Sequence, residues 1–87
     1  KVKIALETDL APKEFIDLLE KLDTNKIKVN YDTGNSACLC YDIKEEFRAY
    51  GSLICDIHIK DRLKASDGGQ SVFLGNGNMD FALFISF

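Results

Sequence analysis

The hydrophobic residues of this chain change period several times, and each change predicts an element. Val2 to Leu6 is a short aliphatic run of the kind found in a buried strand. After Glu7-Thr8-Asp9-Leu10, Ala11 and Pro12 open a helix. There Phe15, Ile16, Leu18, Leu19 and Leu22 recur at helical spacing against Lys13, Glu14, Asp17, Glu20 and Lys21. Asp23-Thr24-Asn25 ends it, and Lys26 to Tyr31 alternates as a second strand with Ile27, Val29 and Tyr31 on one face. Asp32 to Ser36 reads as a loop in which Gly34 supplies backbone freedom, and Ala37 to Tyr41 continues it irregularly. Asp42 followed by Glu45 gives a capping-box pattern for a helix over Ile43 to Tyr50, stopped by Gly51. Ser52 to Ile59 is nearly continuous in apolar residues, as in a strand covered on both faces. Lys60 to Gln70, polar and containing Gly68-Gly69, predicts a long mobile loop over the carboxyl face of the sheet. Val72 to Leu74 leads into a Gly75-Asn76-Gly77-Asn78 turn, and a last helix starts near Met79 or Asp80. The predicted order, β-α-β-α-β-loop-α, makes this an α/β chain with parallel strands and right-handed crossovers.

The three predicted strands share a chemical layout. Each delivers one metal-ligand type of side chain at its C-terminal end: Glu7, Asp32 and His58. The intervals of 25 and 26 residues match one strand-plus-helix unit. Two carboxylates and the chain's one histidine, all at strand ends, predict a metal site on the carboxyl face of the sheet. Composition adds boundaries. With 46% apolar and 29% charged residues the chain has enough core to fold, which excludes a disordered segment. A net charge of −3 with eleven dispersed Lys and Arg shows no basic stripe, so nucleic acid is not the expected partner. No apolar run approaches the roughly 20 residues that cross a bilayer, and no signal-peptide layout is present, so no membrane partner is expected. Cys38, Cys40 and Cys55 have no framework spacing. They predict reduced thiols in a cytoplasmic protein, there for packing rather than for zinc.

Four segments in order carry a family resemblance: Glu7-Thr8, Tyr31-Asp32-Thr33-Gly34-Asn35, His58-Ile59-Lys60-Asp61-Arg62 and Leu74-Gly75-Asn76-Gly77-Asn78. Together they resemble the sugar phosphate isomerase/epimerase group of xylose-isomerase-like TIM barrels, which includes pentulose- and hexulose-phosphate epimerases and ketose 3-epimerases. The resemblance spans essentially residues 1–87. It implies a partial (β/α)8 barrel, about strands 5 to 7 with their helices, forming one fragment of a barrel domain. It also implies that Glu7, Asp32 and His58 bind one divalent cation, Mn2+ foremost, with Mg2+, Zn2+ or Co2+ as alternatives. Asn35 and Arg62 would contact the substrate. The implied activity is metal-dependent isomerisation or epimerisation of a sugar or sugar phosphate through an enediolate, with Glu7 as one acid/base. The family's fourth ligand, an eighth-strand glutamate and the second acid/base, would lie beyond Phe87, so the fragment is expected to be inactive alone.

Lys1 beginning almost on a strand, and the apolar end Ala82 to Phe87, lead to the same expectation of a piece of a larger barrel. Its exposed sheet edges could pair copies into a homo-oligomer. An apurinic-site endonuclease is the alternative enzyme, and a non-catalytic remnant the other alternative. The endonuclease is disfavoured because Asn35 stands where those enzymes use histidine, and because Gly69-Gln70-Ser71-Val72-Phe73 lacks their extra ligands. Each residue also has a plainer role open to it: Glu7 as a solvated strand-end carboxylate, Asp32 as a turn residue, His58 as a hydrogen-bonded core histidine, and Lys60 with Asp61 as a surface ion pair.

Overall fold

A computed structural model describes residues 3–87; Val2, expected at the start of the first strand, lies outside the described residues. Three parallel strands, β1 (Ile4–Leu6), β2 (Ile27–Asp32) and β3 (Ile54–His58), form one sheet in the order β1-β2-β3. Helix α1 (Pro12–Glu20) connects the first two strands. Helices α2 (Thr33–Leu39) and α3 (Ile43–Tyr50), followed by a 3-10 turn at Gly51–Leu53, connect the second and third. After β3 the chain makes a short hairpin, β4 (Asp61–Arg62) against β5 (Ser71–Val72), and ends in α4 (Phe81–Ile85). Among the described residues the sheet is open. This is the α/β arrangement expected for part of a (β/α)8 barrel.

The amphipathic pattern of the sequence decides how the helices lie. Phe15 and Leu19 of α1 and Ile43 and Tyr50 of α3 are buried, and they meet Val29 and Tyr31 of the central strand to form the core. Aromatic rings knit this layer. Phe15 and Tyr50 lie 4.9 Å apart between centroids, and Tyr31 meets Phe47 edge-on at 5.2 Å. Because side chains alternate along a strand, Asn30 and Asp32 of β2 face the opposite side of the sheet, away from these helices.

Inside the helix layer sits an ionisable group the sequence did not flag. Glu46 is 2% exposed, and its carboxylate accepts hydrogen bonds from Tyr31 Oη (2.8 Å), Ser36 Oγ (2.6 Å) and Tyr50 Oη (3.1 Å). Burial pushes the Glu46 carboxyl above its ordinary range, and the three hydroxyl donors only partly offset this. Burial, with the neighbouring carboxylate, likewise raises the Tyr31 and Tyr50 phenols. A carboxyl whose pKa is higher folded than unfolded contributes stability that is complete below the unfolded value of 4.5 and is lost as pH rises through the folded value. Glu46→Gln is therefore expected to remove a decline in stability that sets in as pH rises past the unfolded value of 4.5. Urea midpoints measured at several pH values check it; parallel slopes for the two proteins would assign the decline to other groups.

Several sequence expectations are corrected. The stretch Thr33 to Leu39 is helical, not a loop. Asp32 caps it, its Oδ1 accepting from Asn35 N at 3.0 Å, and Cys40 closes it in the left-handed region at φ 57°. Gly34 is needed there for space rather than for unusual backbone angles, since a Cβ would fall 3.0 Å from Lys60 Cβ and 3.1 Å from Asp32 Oδ1. The strand β3 is shorter than expected and is not covered on both faces: Cys55 to His58 are exposed. Residues 60–70 are no featureless loop but one arm and the turn of the β4–β5 hairpin, with a 3-10 turn at Ala65–Asp67. Lys60 and Asp61 do not pair. Lys60 Nζ lies 3.4 Å from Asp32 Oδ2, while Asp61, at the start of β4, is buried and accepts from the backbone N–H groups of Gly75, Gly77 and Met79.

Candidate metal centre

The site is built where β1, β2 and β3 end. Glu7 follows β1 directly, Asp32 is the last residue of β2, and His58 is the last residue of β3. The structure brings the three together: one ligand atom from each lies within 4.8 Å of the other two. His58 Nδ1 is 3.5 Å from Glu7 Oε1. Bond lengths of about 2.0–2.2 Å to a divalent cation put its donors up to about 4.4 Å apart, so small side-chain adjustments suffice. Two carboxylates and an imidazole are the donor set of a hard or borderline ion. The residues fit a divalent metal.

His58 reaches the site through a break in strand register. Val29 pairs with Ile54, but Asn30 pairs with Asp56, so Cys55 is an extra residue on β3. Such a bulge restores the facing of every residue after it. Regular pairing from Val29 onward would set Ile57 beside Asp32 and turn His58 to the helix side. With the bulge, Asp32 stands opposite His58 and Asn30 opposite Asp56.

Neighbouring groups hold this corner. Thr33 is fully buried, and its hydroxyl donates to Lys60 O at 2.6 Å while accepting from Lys60 N at 2.8 Å. That double contact ties the segment after His58 to the start of α2. The Lys60 ammonium beside Asp32 is more than half exposed and so only weakly coupled to it. Asn35 and Arg62 also meet: Arg62 Nη1 donates to Asn35 Oδ1 at 3.1 Å, and its Nε to Gly69 O at 2.7 Å. Both residues, with Glu7, Thr8, Asp9, Cys38 and Leu39, line an open depression of about 530 Å3, a volume suited to a small molecule. All five residues singled out in the sequence therefore gather at one end of the sheet.

Two polar residues near the ligands escaped the sequence reading. Asn30 Nδ2 lies 3.3 Å from Glu7 Oε1 and 3.4 Å from His58 Nε2, and Asp56 Oδ2 lies 3.9 Å from the same histidine nitrogen. The signal was available as parity. Asn30 precedes Asp32 by two residues and Asp56 precedes His58 by two, which puts each on the face of its ligand. Of the cysteines, Cys38 is buried and lines the depression, while Cys40 and Cys55 are exposed; all three are free thiols. No helix among the described residues is long and apolar enough to cross a membrane.

Parallel strands with crossover helices, carrying a cluster of ligand-type side chains at their C-terminal ends, define a piece of an α/β barrel. The chain belongs to the xylose isomerase-like TIM barrel family, whose sequence pattern it matches over residues 1–87. A crystal structure of a xylose isomerase domain protein from Planctomyces limnophilus is similar over 97% of this chain, with a TM-score of 0.80 and 22% identity. At that identity the likeness establishes the fold. The chain spans 33% of that protein's length. No curated protein matches the sequence significantly.

Proposed function

We propose that this chain carries the metal-binding corner of an isomerase or epimerase that acts on a sugar or sugar phosphate through an enediolate. The observation that carries the reading is the convergence of Glu7, Asp32 and His58 at the carboxyl ends of three adjacent strands, beside a depression lined by Asn35 and Arg62. Glu7, Asp32 and His58 would hold the cation, with Mn2+ first and Mg2+, Zn2+ or Co2+ behind it. A bound divalent ion supplies Lewis-acid polarisation of a ketose carbonyl, which acidifies the neighbouring C–H. Glu7 would take the proton from that carbon at its carboxylate. Arg62, its guanidinium fixed by Asn35 Oδ1 and Gly69 O, would orient a hydroxyl or phosphate. The opposite face of the planar intermediate needs a second acid/base, which the resemblance assigns to a strand outside this chain. The chain alone is then inactive, and its partner is a small polyhydroxy ligand in a cytoplasmic setting rather than nucleic acid or membrane. The edges of β1 and β3 would pair with further barrel strands or with a second copy.

Titration with Mn2+ tests the reading. His58→Ala is expected to weaken binding tenfold or more, and Asp32→Ala at least as much. Equal affinity in native and His58→Ala chains, followed by electron paramagnetic resonance of free Mn2+, would remove His58 from the site and end the three-ligand assignment.

A further inference from the structure

We infer that Asn30 is the positioning residue of this centre, holding the Glu7 carboxylate and the His58 imidazole in their relative places from the central strand. Among the described residues its carboxamide nitrogen reaches both, 3.3 Å from Glu7 Oε1 and 3.4 Å from His58 Nε2. The backbone fixes where that nitrogen stands. Asn30 lies on β2, the only strand of the sheet paired on both sides, two residues before Asp32 on the same face. The bulge, whose extra residue is Cys55 of β3, lies opposite the Val29–Asn30 step, so Asn30 stands at the point where the register shift that delivers His58 begins.

The chemistry has a definite sense. An amide N–H2 offers two hydrogens: the Glu7 carboxylate oxygen accepts one, and His58 Nε2 accepts the other in the metal-free tautomer that carries the ring proton on Nδ1. Glu7 and His58 come from strands that do not touch each other, since β2 separates them. Both side chains are substantially exposed, so packing alone does not fix their rotamers. A bridging donor between them does. The carboxamide oxygen is left buried with no partner among the described residues, a cost a strand normally avoids by carrying an apolar residue there. Retaining an amide in spite of that cost fits a group kept for its nitrogen. A cation on Nδ1 would move the ring proton to Nε2, so the bond that persists in the loaded site is the one to Glu7 Oε1, and orienting a ligand carboxylate in this way raises affinity.

The inference rests in part on the metal-centre reading, so its test has one arm with metal and one without. In the first, Mn2+ affinity is measured for the native chain, Asn30→Ala, Glu7→Ala and the double variant. Asn30→Ala is expected to weaken binding about tenfold in the native background and to have little further effect once Glu7 is gone. Unchanged affinity, or a full and additive loss in the Glu7→Ala background, would overturn the proposal. In the second arm, nitrogen resonances of the His58 ring are recorded without metal at fixed pH. Loss of the Asn30 donor is expected to move Nε2, and an unmoved Nε2 would overturn the proposal. Should the native chain bind no Mn2+, the functional reading fails while the second arm still decides the role of Asn30. Asn30→Ser is run beside Asn30→Ala, with circular dichroism of each, so that a misfolded variant is not read as a displaced ligand.

Discussion

Replacing Asp61 by Asn is expected to destabilise the chain by about 2–4 kcal/mol, the cost of leaving buried backbone N–H groups without an acceptor. Asp61 is 1% exposed and accepts four backbone N–H groups. Oδ1 takes those of Arg62 (3.0 Å) and Met79 (3.1 Å), and Oδ2 those of Gly75 and Gly77 (both 2.9 Å). Among the described residues no lysine or arginine pairs with it; the backbone dipoles stabilise the charge. An asparagine would offer two hydrogens where two N–H groups already point, leaving buried donors face to face. The loop has no room to adapt at Gly77, where a Cβ would come within 2.3 Å of Asp61 Oδ1 and 2.6 Å of Arg62 O. Burial by itself would raise this carboxyl, but the N–H groups of Met79, Gly77, Gly75 and Arg62 outweigh it and hold Asp61 below the ordinary range. A depressed folded value contributes stability that is present above the unfolded value of 3.8 and lost as pH falls through the folded one. Urea unfolding at neutral pH measures the first effect. The second is an acid transition below about pH 4 that Asp61→Asn should no longer show. A variant within about 1 kcal/mol of the native chain, scaled against ordinary point substitutions, would mean that the hairpin and the 74–78 loop hold without this carboxylate.

The contrast between Asp61 and the metal-type ligands shows what a sequence makes legible here. Glu7, Asp32 and His58 stand out because each ends an apolar run, and apolar periodicity is the strongest local signal a chain carries. The helix Ile43–Tyr50 was equally plain, with a capping aspartate, an apolar face and a stopping glycine. Helix α2 was hidden because its residues, Thr33 to Leu39, are small and polar enough to read as loop. Its stability comes from the Asp32 cap and from burial of Thr33, Gly34, Ser36, Ala37 and Cys38 under neighbours distant in sequence. The bulge at Asn30 was hidden for a related reason. It is a relation between two strands, and neither strand read alone contains it. Asp61 looked like a surface charge beside Lys60. Three of its four partners lie 14 to 18 residues further on in a glycine-rich segment, and backbone N–H groups leave no trace in side-chain composition.

Glu7→Gln is expected to cost the largest factor in activity while leaving the fold in place, and it separates the two tasks assigned to one side chain. Glutamine keeps the length and planar shape of glutamate, and its Oε1 can still accept from Asn30 Nδ2. What it loses is the negative charge and the ability to take up a proton. The variant should therefore fold normally, hold the cation less tightly, and fail to exchange the α-proton of a ketose. General acid–base groups contribute about 10²–10⁴ in rate, so in the complete barrel exchange with deuterated solvent should fall by at least about 10² at saturating Mn2+. Saturation matters, because weaker metal binding alone can be overcome by added Mn2+ and a missing base cannot. Exchange restored to the native rate at high Mn2+ would reduce Glu7 to a ligand and move the proton transfer to another residue. A rate that stays low with the site fully loaded places the base at Glu7. The geometry favours this second outcome, since Glu7 lines both the ligand cluster and the depression that holds Asn35 and Arg62.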